Sequence, residues 1–205
     1  IGDHAGYSNT TGNYNTFLGY YAGYYNTKGD GNSFIGNNAG LYNTTGNYNT
    51  FLGYYTGCHN TTGSYNNFLG LSAGYSNTTG NYNTFLGVQA GQNSTGSGNV
   101  FLGYQAGYFE TGSDRLYIDN SSTSSPLIYG QFDNRIVAVN GKLGVGTAAP
   151  LQALHVEGAP GGTALLFRAA PSTDAAVFID GANNVTDTPN LRFMRGGLTK
   201  WVISD

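Results

Sequence analysis

Asn13-Tyr14-Asn15-Thr16-Phe17-Leu18-Gly19-Tyr20-Tyr21-Ala22-Gly23 recurs in variant form along the first half of the chain. A missed period mis-assigns a whole architecture, so the repeat is read before anything else. Its anchors are Phe17, Phe34, Phe51, Phe68, Phe85 and Phe101, spaced by 17, 17, 17, 17 and 16 residues. Each is followed by an aliphatic residue (Leu18, Ile35, Leu52, Leu69, Leu86, Leu102) and then by a glycine. An asparagine precedes each Phe by two positions, at Asn15, Asn32, Asn49, Asn66, Asn83 and Asn99. A second glycine series runs from Gly23 to Gly107 and follows Ala except at Thr56. A third, from Gly12 to Gly112, closes each unit. The shortened units lose their residue between these two series, at Gly91–Gly96 and Gly107–Gly112. Turns that vary while strand segments keep their length are the habit of coiled repeats.

Seventeen residues are too few for the helical repeat families, and glycine at 33 of 205 positions opposes helices. The period suits one coil of a parallel β-solenoid with short strands and turns. One strand is placed at Asn-Thr-Phe-Leu-Gly. A second is expected around Ala-Gly and the residues after it. Asn-Thr-Thr-Gly is turn chemistry, with Asn bonding local backbone and Gly open to positive φ. In the first strand Phe and the glycine two on share one face, and Thr and Leu the other. Apolar side chains therefore leave both faces, while a thin coil has one interior. The second face calls for a partner surface, most simply identical chains around a common axis. Stacking also sets each Asn over its neighbour, which predicts amide ladders. About seven coils, partial or complete, make a rod on the order of 33 Å long.

Charge is sparse and uneven. Charged residues are 9% of the chain, and residues 1–113 hold only Asp3, Lys28, Asp30 and Glu110. A single basic residue in that stretch cannot form a phosphate-binding surface, so nucleic acid is not an expected partner. No apolar run is long enough for a spanning helix, so membrane insertion of this segment is not expected. The chain reads as a fragment, since Ile1-Gly2 aligns with Leu18-Gly19. Cys58 is the lone cysteine and shares its register with Tyr24, Leu41 and Tyr75, which reads as a variable coil position.

These units resemble the head repeats of trimeric autotransporter adhesins, built on N-S-x-A-x-G-type motifs, and still more the N-T-x-L-G-x-x-A-G arrays of bacterial and phage tail-fibre-like proteins. The resemblance covers residues 1–113. It differs from the adhesin heads in carrying Phe-Leu where they use smaller residues and in its longer period. It implies a left-handed β-roll in a homotrimer that serves attachment, and it carries over no catalytic residue.

From Asp114 the texture changes. Arg115–Asn120, Leu127–Gly130 and Arg135–Val139 alternate as strands. Gly141-Lys142-Leu143-Gly144-Val145-Gly146-Thr147-Ala148-Ala149-Pro150 follows, and then Leu154-His155-Val156. This passage resembles the G-x-V-G-I-G-T-x-x-P…L-H-V neck of tail fibres and tailspikes with an endosialidase-type intramolecular chaperone, where it is a trimeric connector. Residues 114–157 are thus expected to be a β connector and 158–205 a small β domain. Strand candidates there are Ala164–Arg168, Ala175–Asp180, Leu191–Arg195 and Lys200–Ser204.

Candidate chemistry is thin. Asp114, Asp119, Asp133, Asp174, Asp180 and Asp187 are the carboxylates a glycan-cleaving pair would draw on, yet each sits in ordinary turn context. His4, His59 and His155 are far apart in sequence. No cofactor or metal site is expected. The Thr10, Thr27, Thr44, Thr61 and Thr78 column suggests ice binding but lies in a turn and is broken at Ser94. Tyr20, Tyr21, Tyr24, Tyr25, Tyr54, Tyr55, Tyr104 and Tyr108 fall at variable positions of the coil, where rows of Tyr and Asn suit stacking on sugars. Ring ladders or trimer contacts are the structural alternative. Arg192, Arg195 and Trp201 are candidates in the charged C-terminal part. The expectation is an extracellular, non-enzymatic fibre segment, on a cell surface or a virion or injection-system fibre, that attaches to a cell-surface glycan or protein receptor. A tailspike-type depolymerase and a purely structural spacer are the alternatives.

Overall fold

The computed structural model describes residues 1–157 in full and, beyond them, the backbone of two strands, Leu191–Arg195 and Leu198–Ile203. Among the described residues every regular element is a β-strand. Strands β1 (Thr16–Leu18), β2 (Ser33–Ile35), β3 (Thr50–Leu52), β4 (Asn67–Leu69), β5 (Thr84–Leu86), β6 (Val100–Leu102) and β7 (Arg115–Ile118) stack parallel in chain order. The six pairings keep Phe17, Phe34, Phe51, Phe68, Phe85, Phe101 and Tyr117 in register. The chain is a β-solenoid of 17-residue coils, and the shortened turns leave the register untouched.

The central residue of each strand faces inward. Phe34, Phe51, Phe68, Phe85 and Phe101 are at most 1% exposed and form a continuous ring stack, with centroids 4.6–4.9 Å apart from Phe34 to Phe101. Ala22, Ala39, Ala73, Ala90 and Ala106 are buried with them. The rings reach the far wall, which leaves little room there: a Cβ on Gly23 would fall 2.6 Å from a carbon of the Phe17 ring. Gly19 has φ 137°, and a Cβ on it would strike the carbonyl oxygen of Gly36 in the next coil. The repeat needs glycine at both places.

Two columns of asparagine replace what a second apolar wall would supply. Asn49 Oδ1 accepts from the backbone N–H of Asn66 at 3.0 Å, and its Nδ2 donates to the Gly63 carbonyl at 2.8 Å. The same pair of bonds recurs from Asn15 to Asn99. Each side chain thus ties its own coil to the next through backbone groups, rather than by an amide-to-amide chain. The amide-to-amide ladder stands elsewhere: Asn26, Asn43 and Asn60 each donate to the Asn of the preceding coil at 2.7–2.8 Å. That column stops where Ser94 replaces Asn. The unpaired buried atoms Asn60 Oδ1, the Asn77 amide pair and Ser94 Oγ sit together at this junction. A half-turn of the Asn77 carboxamide would give Asn60 a donor and Ser94 an acceptor.

The second strand expected around Ala-Gly is not formed. Tyr21 (φ 54°) and Gly23 (φ 59°) are left-handed, and the same alternation recurs at Asn38–Gly40 and Tyr55–Gly57. The segment folds as consecutive turns, with Tyr24 N–H donating to Tyr21 O and Asn26 N–H to Gly23 O. Rung-to-rung bonding still runs through it, since Gly23 N–H donates to Ala39 O at 2.9 Å and Tyr25 N–H to Leu41 O at 3.0 Å. Left-handed residues bend the chain more sharply than a strand allows, and so 17 residues suffice to close a coil around one ring stack.

The repeat sheet continues past residue 113. After β7 the chain reverses, and β8 (Ile128–Gln131) and β9 (Ile136–Val139) add antiparallel to make a sheet of nine strands. Tyr117 sits edge-on to Phe101 at 5.3 Å and ends the ring stack. The chain divides into two compact units, Ile1–Leu143 and Gly144–Asp205. The Gly-rich passage supplies β10 (Leu143–Val145), which pairs with β11 (Leu154–Val156). Strands β12 (Leu191–Arg195) and β13 (Leu198–Ile203) pair antiparallel, with a register shift between Phe193 and Met194. The strands expected at 164–168 and 175–180 lie outside the described residues.

Candidate interaction surfaces

Outward side chains of the strands build one continuous face. Leu18, Leu52, Leu69 and Leu86 are 42–45% exposed, and Ile35 and Leu102 are half-buried. They form a ladder of aliphatic side chains along the rod. Two residues on, Tyr20, Asn37, Tyr54, Leu71, Val88 and Tyr104 make a parallel column, mostly apolar and mostly exposed. On the other flank stand Thr16, Ser33, Thr50, Asn67, Thr84 and Val100. Over β3–β5 this face holds a shallow open groove of about 310 Å³, floored by Leu52, Leu69 and Leu86 between Thr50, Asn67 and Thr84. The strand alternation read from the sequence is what turns Phe and Leu to opposite sides.

The tyrosines singled out from the sequence come together only in groups. Tyr20, Tyr21, Tyr24 and Tyr25 cluster on one coil, with Tyr20–Tyr21, Tyr21–Tyr24 and Tyr24–Tyr25 centroids 4.3, 4.7 and 4.6 Å apart. Tyr54 and Tyr55 pair edge-to-face at 4.4 Å two coils further on. Tyr104 and Tyr108 stand near the end of the solenoid, Tyr108 against Phe109 at 4.5 Å. Asn38, Ser72, Gln89 and Gln105 take the Tyr21 register in the other coils, so the set is not one patch. A hydrogen bond with Tyr20 holds the Tyr21 hydroxyl above its ordinary pKa, and Tyr55 does the same for Tyr54. Burial among neighbours raises Tyr24.

Three of these rings, Tyr21, Tyr24 and Tyr25, lie face to face with a ring of the neighbouring coil. His4 stacks on Tyr21 at 5.1 Å, Tyr7 on Tyr24 at 5.1 Å, and Tyr25, Tyr42 and His59 follow one another at 5.3 and 5.1 Å. A stacked ring offers solvent its edge and its hydroxyl, while its face is taken by the next coil. Sugar stacking requires a free face.

A further aromatic column was missed by the sequence reading. Tyr48, Tyr65 and Tyr82 stack at 5.2 Å each, and Tyr14, 94% exposed, stands in the same register. All adopt left-handed φ of 54–60°, and Gly31 and Gly98 fill the register where Tyr is absent. The signal was present: Tyr recurs three residues before the Phe at Tyr14, Tyr48, Tyr65 and Tyr82.

Other candidates are placed as follows. Arg192 and Trp201 stand on β12 and β13 opposite Val202 and Phe193, and Arg195 opposite Leu198. Asp119 accepts from the N–H groups of Asn120 and Leu127, and Asp133 from Asn134 N–H while pairing with Arg115 at 3.4 Å. Asp114 sits at a left-handed turn with φ 60°. Asp174, Asp180 and Asp187 lie outside the described residues. Thr10, Thr27, Thr44 and Thr61 each donate their hydroxyl to a carbonyl of the next coil at 2.9–3.0 Å, which commits that column to the rod itself. Cys58 is 1% exposed, and burial pushes its thiol up to about 12. Among the described residues, no group of three or more His, Cys, Asp or Glu side chains is placed to hold a metal ion, and no helix is long and apolar enough to cross a membrane. Comparison with protein-family models, curated proteins and solved structures gives no match.

Proposed function

We propose that this chain is a rod segment of an extracellular attachment fibre, on a cell surface or on a virion or injection-system fibre. It assembles as a homotrimer through the Leu18–Leu102 face and presents the remaining surface to a glycan or protein receptor. The observation that carries this reading is the two-sidedness of each strand. Phe68 closes a core within one chain, while Leu69 beside it stays 42% exposed in a continuous apolar ladder. Contiguous exposed apolar surface of this kind marks an interaction site. Completing the burial of one half-exposed leucine gains on the order of 1 kcal/mol, and the ladder repeats that gain along the rod in every chain. The neck-like passage around Leu143–Val145 and Leu154–Val156 accords with the same reading.

Sedimentation equilibrium tests the assembly, with the mass of three chains as the expected result and a single-chain mass at micromolar concentration against it. Binding of the labelled rod to host cells, competed by soluble surface glycan, tests attachment. A purely structural spacer is the second reading, favoured by the ring stacking, which uses the tyrosine faces internally. It predicts no saturable cell binding. A depolymerase has less support, because Asp119 and Asp133 are engaged in turn and ion-pair contacts.

A further inference from the structure

The last coil carries a carboxylate that the neutral rod does not require. Glu110 is one of only four charged residues before Asp114. Its Oε1 accepts from Gly112 N–H and its Oε2 from the Tyr117 hydroxyl, both at 2.7 Å. These bonds fix the carboxylate, and the Arg115 guanidinium stands near it without pairing: Glu110 Oε1 and Arg115 Nε lie 2.9 and 3.5 Å from the point where a Cβ on Gly112 would fall. Arg115 pairs with Asp133 at 3.4 Å, and the ion pairs among the described residues do not include Glu110. The carboxylate borders a cavity of about 130 Å³ whose other walls are Tyr108, Phe109, Tyr117 and the hydroxyl-bearing segment Ser122–Ser124. Phe109 is 68% exposed. Tyr108 meets it edge-to-face at 4.5 Å.

A fixed negative charge, aromatic walls and hydroxyl acceptors select a particular chemistry. A divalent metal ion finds a single carboxylate among neutral hydroxyls, too little charge to replace its hydration shell. An organic cation finds charge complement in Glu110, ring quadrupoles in Tyr108 and Phe109, and acceptors for its N–H groups in the free lone pairs of Glu110 and in Ser122–Ser124. We infer that this cleft at the end of the solenoid is a binding site for a primary alkylammonium group. The cavity is of a size for the ammonium head and one or two methylenes. The site lies within one chain and does not depend on the trimer.

The test is a titration of the intact chain with n-butylammonium chloride, followed through the aromatic resonances of Tyr108 and Phe109, with n-butanol and sodium chloride as controls. Saturation in the millimolar range is expected for the ammonium alone. Glu110→Gln, which keeps the shape, is expected to weaken binding about tenfold. Phe109→Ala leaves the fold intact because the ring is exposed, and is expected to weaken binding about three- to fivefold. Nα-acetyl-lysine methylamide and methyl glucosaminide then tell a lysine side chain from an amino sugar as the natural source, and saturation by either supports the site. Equal shifts with n-butanol, no saturation, or unchanged affinity in Phe109→Ala would overturn it.

Discussion

Phe68 and Leu69 are neighbours in the chain with opposite fates, 1% and 42% exposed. The Phe column is finished within one chain: ring stacks on ring, alanine backs it, and glycine on the far wall admits it. The Leu column has the same period and the same continuity, with solvent where the other has a wall. The difference teaches that one repeat carries two apolar ladders, one closed by folding and one left open to solvent. Truncation should separate them. Phe68→Ala is expected to cost about 3–5 kcal/mol in denaturant unfolding, because neighbouring rings held by their own coils cannot collapse into the gap. Leu69→Ala should cost less than about 1 kcal/mol in a single chain, where its side chain is already half solvated. Leu69→Asp should leave far-ultraviolet circular dichroism unchanged and shift the sedimentation mass to one chain. A fully trimeric Leu69→Asp would detach the Leu face from assembly.

The next comparison lies within the core. Asn49 is as buried as Phe51, yet its contribution is made by direction rather than area. Asn49→Ala removes an acceptor from Asn66 N–H and a donor from the Gly63 carbonyl, leaving both backbone groups buried and unpaired. The expected loss is about 2–3 kcal/mol. Asn93→Ala, at a half-buried turn position where Oδ1 accepts only a long 3.4 Å bond from the Ser76 hydroxyl, is expected to cost much less, so the two unfolding curves measure the buried ladder against a peripheral contact.

Cys58 and Tyr117 give the closed core a pH signature. Burial pushes the Cys58 thiol from 9.0 to about 12. Burial, and then the Glu110 hydrogen bond, hold the Tyr117 hydroxyl above its ordinary value of 10.0. Both groups are raised in the fold, so their protonated forms stabilise it. That stability is complete below the unfolded pKa values and drains away as pH climbs from 9.0 toward about 12 for the thiol, with the tyrosine following. The expected loss is roughly 1–2 kcal/mol by pH 10. Cys58→Ala should flatten the first part of that slope, and an unchanged slope would remove the thiol from the account. Slow labelling of Cys58 by thiol reagents under native conditions is the companion measurement.

The period and the placing of Phe and Leu on opposite faces were legible because strand alternation is local and strict; which of the two faces inward was not. The register survived two shortened units for the same reason, since only a turn gave way. The Ala-Gly segment was not legible as turns. Alanine beside glycine reads equally as a tight strand, and what excludes the strand is left-handed backbone at Tyr21 and Asn38, residue types that do not announce it. Tyr117 was read as the start of a connector because its coil lacks the Phe-Leu-Gly text, although Leu116-Tyr117-Ile118 preserves the apolar pattern and pairs with Val100-Phe101-Leu102. The Glu110 cleft was not legible, for it depends on a loop at Ser122–Ser124 folding back beside residue 110. Of the proposed binding tyrosines the sequence supplied positions, and only the structure shows which ring faces are already taken.

The smallest effect separates ladder from ligand site. Tyr65 has φ 59°, is 47% exposed, and stacks on Tyr48 and Tyr82 at 5.2 Å each. Replacing it removes two ring contacts, worth about 0.5 kcal/mol each at an exposed site. Tyr65→Gly relieves left-handed strain of similar size, so its stability should stay within about 1 kcal/mol of the parent. Tyr65→Val keeps the strain, loses the contacts and forces a β-branched side chain into left-handed backbone, with an expected loss of about 2 kcal/mol. Valine is the better strand former and glycine the worse, so this order inverts β-propensity and reports backbone conformation directly. Valine at least as stable as glycine would show that the turn is not left-handed in solution. Both variants lack the ring, and cell binding of the rod should fall alike in the two if the Tyr48–Tyr82 column is a receptor surface. Unchanged binding in both would leave that column as the mortar between coils.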